Sequence, residues 1–209
     1  MNFWKNKKVL VTGGGGFVGT SVINLLKEID DIKELHFPTH EEVDFSIEKQ
    51  TSDYFETIRP DIVIHLAGKV GGIVANRDAQ GEFFYQNMMM GTLVLEYARR
   101  VGVSRLVALA AGCGYPLGLE GAYKESDFFM GLPDPNSAPY SMAKKMLIIQ
   151  SSAYRNQYGF NSSVLLPANL YGPHDNFNLT TSHVVPALIR KFIEAKDNNL
   201  PSVEVWGTG

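Results

Sequence analysis

A run of four glycines between an apolar strand and a helix is the feature that most constrains how this chain folds. Residues 7–12 read as a short buried strand, and apolar residues at helical spacing predict a helix over residues 17–29. Gly13, Gly16 and Gly19 recur at every third position from the turn into the helix. Glycine permits a tight turn and the close approach of a pyrophosphate, and the helix N-terminus adds free N–H groups. The pattern therefore predicts a dinucleotide site here, the alternative being a merely flexible turn.

Short strands and helices alternate along the rest of the chain. Apolar runs predict further strands at residues 32–37, 62–66, 105–111, 161–166 and 202–206. Helical spacing predicts helices at residues 46–58, 80–101, 139–158 and 182–195, and Ser137 is the expected capping residue of the third. Strands that alternate with helices are joined by right-handed crossovers. The predicted fold class is therefore α/β, with a doubly wound parallel sheet of the Rossmann type.

The overall composition excludes several classes of protein. Hydrophobic residues make up 44% of the chain, which excludes a disordered polymer. The 19 basic and 22 acidic residues give a net charge of −3, so nothing indicates binding to nucleic acid or to an anionic membrane. No apolar run is long enough to span a bilayer, and the first residues do not read as a secretory signal. Cys113 is the one cysteine of the chain, so we expect no internal disulfide. Together these features predict a soluble cytoplasmic protein. No metal site is predicted.

The end of the second strand is where a sheet of this kind distinguishes its cofactors. An acidic residue there binds a ribose 2′-hydroxyl, and an arginine nearby accommodates a 2′-phosphate. Residues 36–40 offer neither group, so NAD and NADP both remain open. Asp44 lies slightly further along the chain, where it either faces the adenine or caps the helix that follows Ser46.

Tyr140 and Lys144 form a second candidate site. At a separation of four residues on a helix, their side chains face the same way. We expect the ammonium to lower the pKa of the phenol, so that the phenol exchanges a proton with a sugar hydroxyl or carbonyl while a nicotinamide moves the hydride. The same spacing also occurs on solvated helix faces, but its place downstream of a dinucleotide turn favours catalysis.

Five further segments carry a resemblance to a known family. They occur in the same order as in that family and lie at residues 69–76, 85–89, 113–116, 169–177 and 182–188. Through them the chain resembles the GDP-L-fucose synthase family, which belongs to the extended short-chain dehydrogenases/reductases of the NAD-dependent epimerase/dehydratase family. The resemblance covers nearly the whole chain. It implies NADP or NAD as the cofactor, a nucleotide-sugar substrate and a homodimer.

In the resembling family, a cysteine and a histidine act as acid and base at C3 and C5 of a GDP-4-keto-6-deoxyhexose. By motif these roles fall to Cys113 and His183, and the Tyr140–Lys144 pair serves reduction at C4. A C4 ketone acidifies the neighbouring C–H bonds, so a thiol and an imidazole on opposite ring faces can exchange those protons. A 4,6-dehydratase would carry an acidic pair at the loop of Cys113, and none is present. The resemblance therefore implies an NAD(P)-dependent epimerase or epimerase/reductase.

The resemblance also assigns binding residues. Those for the cofactor are Gly13, Gly14, Gly16, Phe17, Val18, Gly19, Asp44, Leu66, Ala67, Ala110, Ala111, Lys144, Pro167, Asn169 and Leu170. Those for the substrate are Asn169, His183, Lys191 and Trp206. For Lys191 a solvated helix face stays open as the alternative, and for Trp206 packing at a strand end does. The helices at residues 80–101 and 139–157 resemble the pair that forms the family's dimer interface.

The chain departs from the family at three positions. The family has a serine or threonine two residues before the cysteine, whereas this chain has Ala111. Loss of one donor to a developing oxyanion costs up to about 10²–10³ in rate, so we expect the reductive step to be weaker than the epimerising step. The family's basic residues for NADP are absent at Gly15 and Pro38. The alternative function is a catalytically impaired, dinucleotide-binding homologue that acts as a partner or regulator.

The length of 209 residues predicts one domain and part of another. We expect residues 1–173 to form the dinucleotide-binding Rossmann domain and residues 174–209 to begin a substrate-binding domain. Members of the resembling family continue for roughly half a domain further. The resemblance therefore implies that the C-terminal substrate lobe of this chain is incomplete and truncated.

Overall fold

The computed structural model describes residues 3–205, without the side chains of residues 73 and 74. Five parallel strands form one sheet in the order β2-β1-β3-β4-β5. The strands are β1 (Lys7–Thr12), β2 (Ile32–His36), β3 (Ile62–His65), β4 (Arg105–Leu109) and β5 (Ser162–Leu165). The helices are α1 (Phe17–Lys27), α2 (Glu48–Ile58), α3 (Ile73–Asp78), α4 (Gln80–Arg100), α5 (Ala138–Tyr158) and α6 (Val184–Asp197). The predicted α/β fold with a doubly wound parallel sheet is confirmed.

Strand β1 is an interior strand of the sheet, between β2 and β3, and is buried on both faces. On one face, Leu10 belongs to the core that α2, α4 and α5 complete, together with Phe55 and Val63. On the other face, Val9 and Val11 pack against α1. Burial on both faces explains why this strand is a continuous apolar run rather than an alternating one.

The strand order reverses between β1 and β3. From β1 the chain crosses to β2 on one side, and it then returns to β3 on the other side of β1. The loops that leave β1 and β3 therefore diverge and open a crevice at the carboxyl ends of the two strands. The glycine turn and residues 66–72 line this crevice, which places the predicted dinucleotide site at the switch point of the sheet.

Helices α4 and α5 pack side by side on one face of the sheet. They approach so closely at Gly91 that a Cβ there would overlap the side chain of Leu147. Further along, Glu96 accepts hydrogen bonds from Arg99 (2.8 Å) and from the hydroxyl of Tyr154 on α5 (2.8 Å). These bonds, the Arg99 guanidinium first, lower the pKa of Glu96 to about 2. A charged carboxylate therefore ties the two helices together.

Two local predictions are wrong, and one short helix is not predicted. Residues 202–205 form no strand and do not join the five-stranded sheet, and residue 206 lies outside the described part of the chain. The short helix α3 is missed by the sequence pattern, because six residues after two glycines show no helical period. Ser137 precedes α5 as expected, but its hydroxyl donates to Asp134 O (3.4 Å) and caps no helix N–H.

Strand β5 forms one edge of the sheet and pairs, within residues 3–205, with β4 alone. Two arginines form hydrogen bonds at the beginning of this edge strand. Arg105 donates to Asn161 Oδ1 (2.9 Å), and Arg155 donates to the carbonyl of Ser162. Across the described residues, no helix is long and apolar enough to cross a membrane.

Candidate active site

The glycine turn after β1 is held by contacts that tolerate no side chain. Gly13 has a φ of +72°, and a Cβ there would come within 2.7 Å of the Ala67 nitrogen. At Gly19, the third glycine, a Cβ would overlap the carbonyl of Gly13 and lie 2.7 Å from Gly14 Cα. Helix α1 therefore starts directly against the turn, because glycine is the one residue type that fits at both positions.

The start of α1 is open to an anionic ligand. Gly16 is the N-cap, and no side chain of the described residues caps it or places an acidic group in the first turn. A Cβ built at Gly15 would meet no atom within 4 Å, so the turn faces open space there. Uncapped N–H groups and the positive end of the helix dipole suit a pyrophosphate. The residues present therefore fit the dinucleotide that the glycine pattern predicts.

A buried histidine joins the turn to the end of β3. The Thr12 hydroxyl accepts a hydrogen bond from Ala67 N (3.3 Å) and lies 2.7 Å from Nδ1 of His65. Because the hydroxyl already accepts one hydrogen bond, its own hydrogen is available to an unprotonated Nδ1. Burial lowers the pKa of His65 to about 3, and the positive charge of Lys144 contributes to this shift. The histidine is thus neutral and fixes the carboxyl ends of β1 and β3 together.

Residues 37–39, directly after β2, carry no charged side chain. The Phe37 ring packs under Lys27, whose Nζ lies 5.2 Å from the ring centroid, and a Cβ at Gly14 would come within 2.7 Å of Phe37. Asp44 Oδ1 accepts hydrogen bonds from Ser46 N (2.8 Å) and Ser46 Oγ (2.7 Å). Asp44 thus closes a turn before α2. The N-cap of α2 is Ile47 and no side chain caps it, so the predicted capping role is not observed and the adenine contact stays a prediction.

Tyr140 and Lys144 lie on α5 at the carboxyl edge of the sheet. Lys144 is buried, and its Nζ donates to the carbonyl of Ala67 at 3.4 Å, directly after β3. The same nitrogen lies 6.0 Å from the centroid of the Tyr140 ring. Burial lowers the pKa of Lys144 to about 8, and the neighbouring Cys113 opposes this shift. The two side chains share one face of α5, as their spacing predicts.

The prediction that Lys144 lowers the pKa of the Tyr140 phenol is wrong for this structure. Burial raises the pKa of Tyr140 above its ordinary value, and the neighbouring Cys113 raises it further. The ring packs edge-on against Phe83, with centroids 6.4 Å apart, and this apolar contact disfavours a phenolate. The loss of water on burial therefore determines the direction of the pKa shift of the phenol.

Cys113 lies in a short 3-10 turn, Gly112–Gly114, in the loop that follows β4. The residue is exposed, yet packing around the thiol raises its pKa, while a hydrogen bond from Ser141 lowers it. Ser141 Oγ lies 3.2 Å from Cys113 Sγ and 3.1 Å from Cys113 O. The structure thus brings Cys113, Tyr140 and Lys144 to one place.

His183 is contributed by a different element, the start of α6. It is the exposed N-cap residue of α6, with a φ of −74° and a ψ of 168°. The loop before it is anchored at the start of α3, where Gly72 N donates to Thr181 O (3.1 Å) and leaves no room for a Cβ beside Ser182 O. The imidazole therefore stands on a loop that touches the segment following β3.

The remaining predicted residues lie along the loops after β4 and β5. Ala110 N donates to Leu165 O (2.9 Å), and a Cβ at Gly112 would lie 3.1 Å from Pro167 O, so these two loops are in contact beside Ala111. Asn169 and Leu170 are exposed just beyond this contact. Leu66 follows β3, and Val18 follows the glycine turn, where the ring of Phe17 faces Gly172.

Lys191 lies on α6, and its Nζ donates to the carbonyl of Glu204 at 3.0 Å. That bond ties α6 to the last described residues rather than to Cys113 or Tyr140. Trp206, the other predicted substrate residue, lies outside the described part of the chain. Both substrate roles therefore stay predictions.

Sequence reasoning missed two residues that shape the site. Ser141 is fully buried beside the cysteine, and its only signal is that it follows Tyr140. Asn87 on α4 accepts from Lys69 N (3.1 Å) and donates to Lys69 O (2.9 Å), which fixes the loop after β3. Paired amide contacts of this kind depend on the tertiary approach of α4, which no local pattern reveals.

Comparison with known proteins identifies relatives for nearly all of this chain. Residues 9–209 match the NAD dependent epimerase/dehydratase family. The GDP-L-fucose synthase of Escherichia coli strain K12 is 38% identical over 203 residues, which cover 97% of this chain and 63% of that protein. The chain therefore spans less than two thirds of the length of such curated relatives.

Solved structures agree with the fold. A GDP-L-fucose synthetase from Naegleria fowleri, bound to NADP, superposes with a TM-score of 0.88 at 29% identity, over 100% of this chain and 68% of that one. A GDP-mannoheptose C4 reductase from Campylobacter jejuni, with NADP bound, gives a TM-score of 0.85 at 30% identity, over 94% of this chain and 59% of that one.

Proposed function

The chain belongs to the NAD dependent epimerase/dehydratase family, and on this premise we propose that it is an NAD(P)-dependent epimerase of a GDP-linked 4-keto-6-deoxyhexose or a similar nucleotide sugar. The observation that carries the proposal is the grouping of Cys113 with Tyr140 and Lys144 beside the switch point of the sheet. The thiol is exposed at this place, and the reactivity of a free cysteine usually matters more than its packing. The relatives named above supply the substrate class.

The glycine turn and the start of α1 support a dinucleotide cofactor, NADP or NAD. Gly13, Gly16 and Gly19 let its pyrophosphate approach the backbone, and the uncapped helix receives the negative charge. When bound, the nicotinamide supplies or accepts a hydride. The proposed contacts continue through Ala67 after β3 and Pro167 after β5, at the same edge of the sheet.

Cys113 and His183 are the proposed acid and base of the epimerisation. A ketone at C4 of the sugar acidifies the hydrogens at C3 and C5, so a base can remove one and an acid can return it on the opposite face. Cys113 is exposed after β4, and His183 is exposed at the start of α6. Two groups on separate elements suit the two faces of a ring better than neighbours on one helix would.

Tyr140 and Lys144 are the proposed proton donor and its cationic partner for reduction at C4. Their carbonyl-binding environment lacks one hydroxyl, because Ala111 occupies the position two residues before Cys113. Up to about 10²–10³ in rate depends on one such donor. We therefore assign the epimerising step to this chain more firmly than the reductive step.

The proposal includes an organisation for the molecule. Residues 1–173 form the dinucleotide-binding domain, and residues 174–209 belong to a substrate-binding domain with Asn169, Lys191 and Trp206 as further sugar-nucleotide contacts. The exposed apolar side chains Phe84 on α4 and Ile149 on α5 support a homodimer through these helices. We propose a cytoplasmic location, in keeping with the family's soluble substrates.

Hydrogen exchange in D₂O tests the proposed function. The full chain, loaded with NADP or NAD, is incubated with a GDP-4-keto-6-deoxyhexose, and deuterium at C3 and C5 is measured by NMR. We expect incorporation with the unmodified chain and none with Cys113→Ser, while dinucleotide binding is unchanged. An unmodified chain that binds the dinucleotide but exchanges neither hydrogen would contradict the proposal and favour a partner or regulator.

A further inference from the structure

The turn that carries Cys113 is confined on both sides. Gly112 packs against the carbonyl of Pro167, where a Cβ would lie at 3.1 Å. Gly114 packs against the ring of Phe128, where a Cβ would lie at 2.5 Å from Cζ. The backbone of the turn therefore has little freedom to move, and the direction of the Cys113 side chain depends on what touches its sulfur.

The hydroxyl of Ser141 is the side-chain group bonded to that sulfur. It lies 3.2 Å from Cys113 Sγ and 3.1 Å from Cys113 O, and Ser141 is completely buried on the inner face of α5. A serine hydroxyl has one hydrogen and two lone pairs. It can donate to one of these two acceptors at a time, and it can accept from a thiol S–H while it donates to the carbonyl.

We propose that Ser141 is a positioning residue for Cys113, whose hydroxyl donates to the Cys113 carbonyl while the thiol is protonated and turns to donate to the sulfur when the proton leaves. The inference rests on the proposed function, since it assigns a purpose to a proton transfer at Cys113. It concerns this chain's own atoms, and it holds with or without a bound sugar. The hydroxyl is buried behind the turn, so it acts on Cys113 and not from the surface of the site.

The hydrogen bond from Ser141 affects the pKa of the Cys113 thiol. Burial raises the pKa of the thiol, and the hydrogen bond from Ser141 is the largest influence that lowers it. Lys144 on α5 adds a smaller lowering influence, and Tyr140 on the same helix is the other titratable group coupled to the sulfur. A donor that strengthens as negative charge develops favours the thiolate over the thiol.

Alkylation of the thiol measures the effect directly, because Cys113 is the one cysteine of the chain. The rate of modification by iodoacetamide is recorded against pH, and the ultraviolet absorbance of the thiolate is titrated in parallel. We expect Ser141→Ala to move both midpoints about one pH unit higher than in the unmodified chain. Ser141→Thr, which keeps the hydroxyl, should return them toward the original value.

Ser151→Ala is the matched control, since Ser151 is also buried on α5 and bonds the hydroxyl of Ser162 at 2.6 Å, away from the turn. It should leave both midpoints unchanged. Midpoints that stay in place in a folded Ser141→Ala chain, as judged by circular dichroism, would overturn the proposal, as would an equal shift in Ser151→Ala. The alkylation assay contains no sugar. If the midpoint shifts in Ser141→Ala but the unmodified chain exchanges no deuterium into the sugar, the result contradicts the proposed function and not the role of Ser141.

Discussion

The sheet with its helices and the segment after β5 are built on different principles. In the first region, Leu10 and Val63 are completely buried, and glycines mark where backbones touch. In residues 167–205, turns are closed by short-range bonds, including side-chain ones: Asn178 Oδ1 accepts from Thr180 N (2.9 Å) and Thr181 N (3.2 Å). Helix α6 leaves Phe192 and Ile193 more than half exposed.

The contrast separates two ways of placing functional groups. Cys113, Tyr140 and Lys144 are held by a shared core, so their relative positions follow from the packing of the whole sheet. The loop that carries His183 is held by local turns and by the bond from Gly72 N to Thr181 O. We infer that the dinucleotide side of the site is preorganised, whereas the sugar side depends on weaker, independent bonds. Three substitutions test this difference.

The largest effect is expected from Gly19→Ala. Its methyl group would overlap the carbonyl of Gly13, so the turn and α1 must separate. We expect the free energy of unfolding to fall by about 3 kcal/mol. We also expect dinucleotide affinity to fall by about 100-fold, since the phosphate-binding backbone moves. Denaturant unfolding and fluorescence titration with NADPH measure the two quantities.

Gly15→Ala is the control for that substitution, because its methyl group would meet no atom within 4 Å. Its stability and affinity should stay within a few tenths of a kcal/mol of the unmodified chain, or improve slightly. Equal losses in the two variants would contradict the view that packing, rather than glycine content, shapes the turn.

An intermediate effect is expected from Glu96→Gln, compared with Glu194→Gln in the other region. Glu96 is 20% exposed and binds Arg99, Arg100 and Tyr154, whereas Glu194 is 47% exposed and pairs with Arg190 at 2.6 Å. Replacement of Glu96 should cost about 2 kcal/mol at neutral pH. Replacement of Glu194 should cost less than about 0.5 kcal/mol.

The pH dependence of the unfolding free energy tests the role of the Glu96 charge. The pKa of Glu96 is lowered from 4.5 to about 2 in the folded chain, so its contribution is complete above pH 4.5 and is lost as the pH falls towards 2. Between these values, the difference in unfolding free energy between the unmodified chain and Glu96→Gln should shrink. A difference that is constant over this range would show that the carboxylate charge is not the cause.

The smallest effect is expected from Asn178→Ala. The substitution removes the two bonds to Thr180 N and Thr181 N, but those N–H groups are exposed and can bind water. We expect the unfolding free energy to change by less than about 0.5 kcal/mol and NADPH affinity not to change. A loss comparable to that of Glu96→Gln would mean that the two regions form one cooperative unit.

The same division explains what could be predicted from the sequence. The strands and the glycine turn could be predicted because burial on both faces leaves a continuous apolar run, and because a close backbone approach demands glycine. Residues 202–205 failed as a strand, since an apolar run forms one only where a partner strand lies beside it. The six residues of α3 carried too little periodicity to be recognised.

The site was predictable in its residue types and less so in its energetics. The spacing of Tyr140 and Lys144 correctly places them on one face of α5. It says nothing about burial, and burial is what raises the pKa of Tyr140 and lowers that of Lys144 to about 8. The bond from Ser141 to Cys113 joins residues 28 positions apart, so it follows from the docking of the turn against α5.

The edge position of β5 has a consequence for how the chain behaves at high concentration. Parallel strand edges offer a row of backbone donors and acceptors that any extended peptide can use, including one from another molecule. Arg105 and Arg155 shield the beginning of β5, but its last residue, Leu165, is 51% exposed and has no such guard. Within residues 3–205 this end of the edge has no partner strand, so we expect Leu165→Lys to reduce aggregation at high concentration, as measured by light scattering.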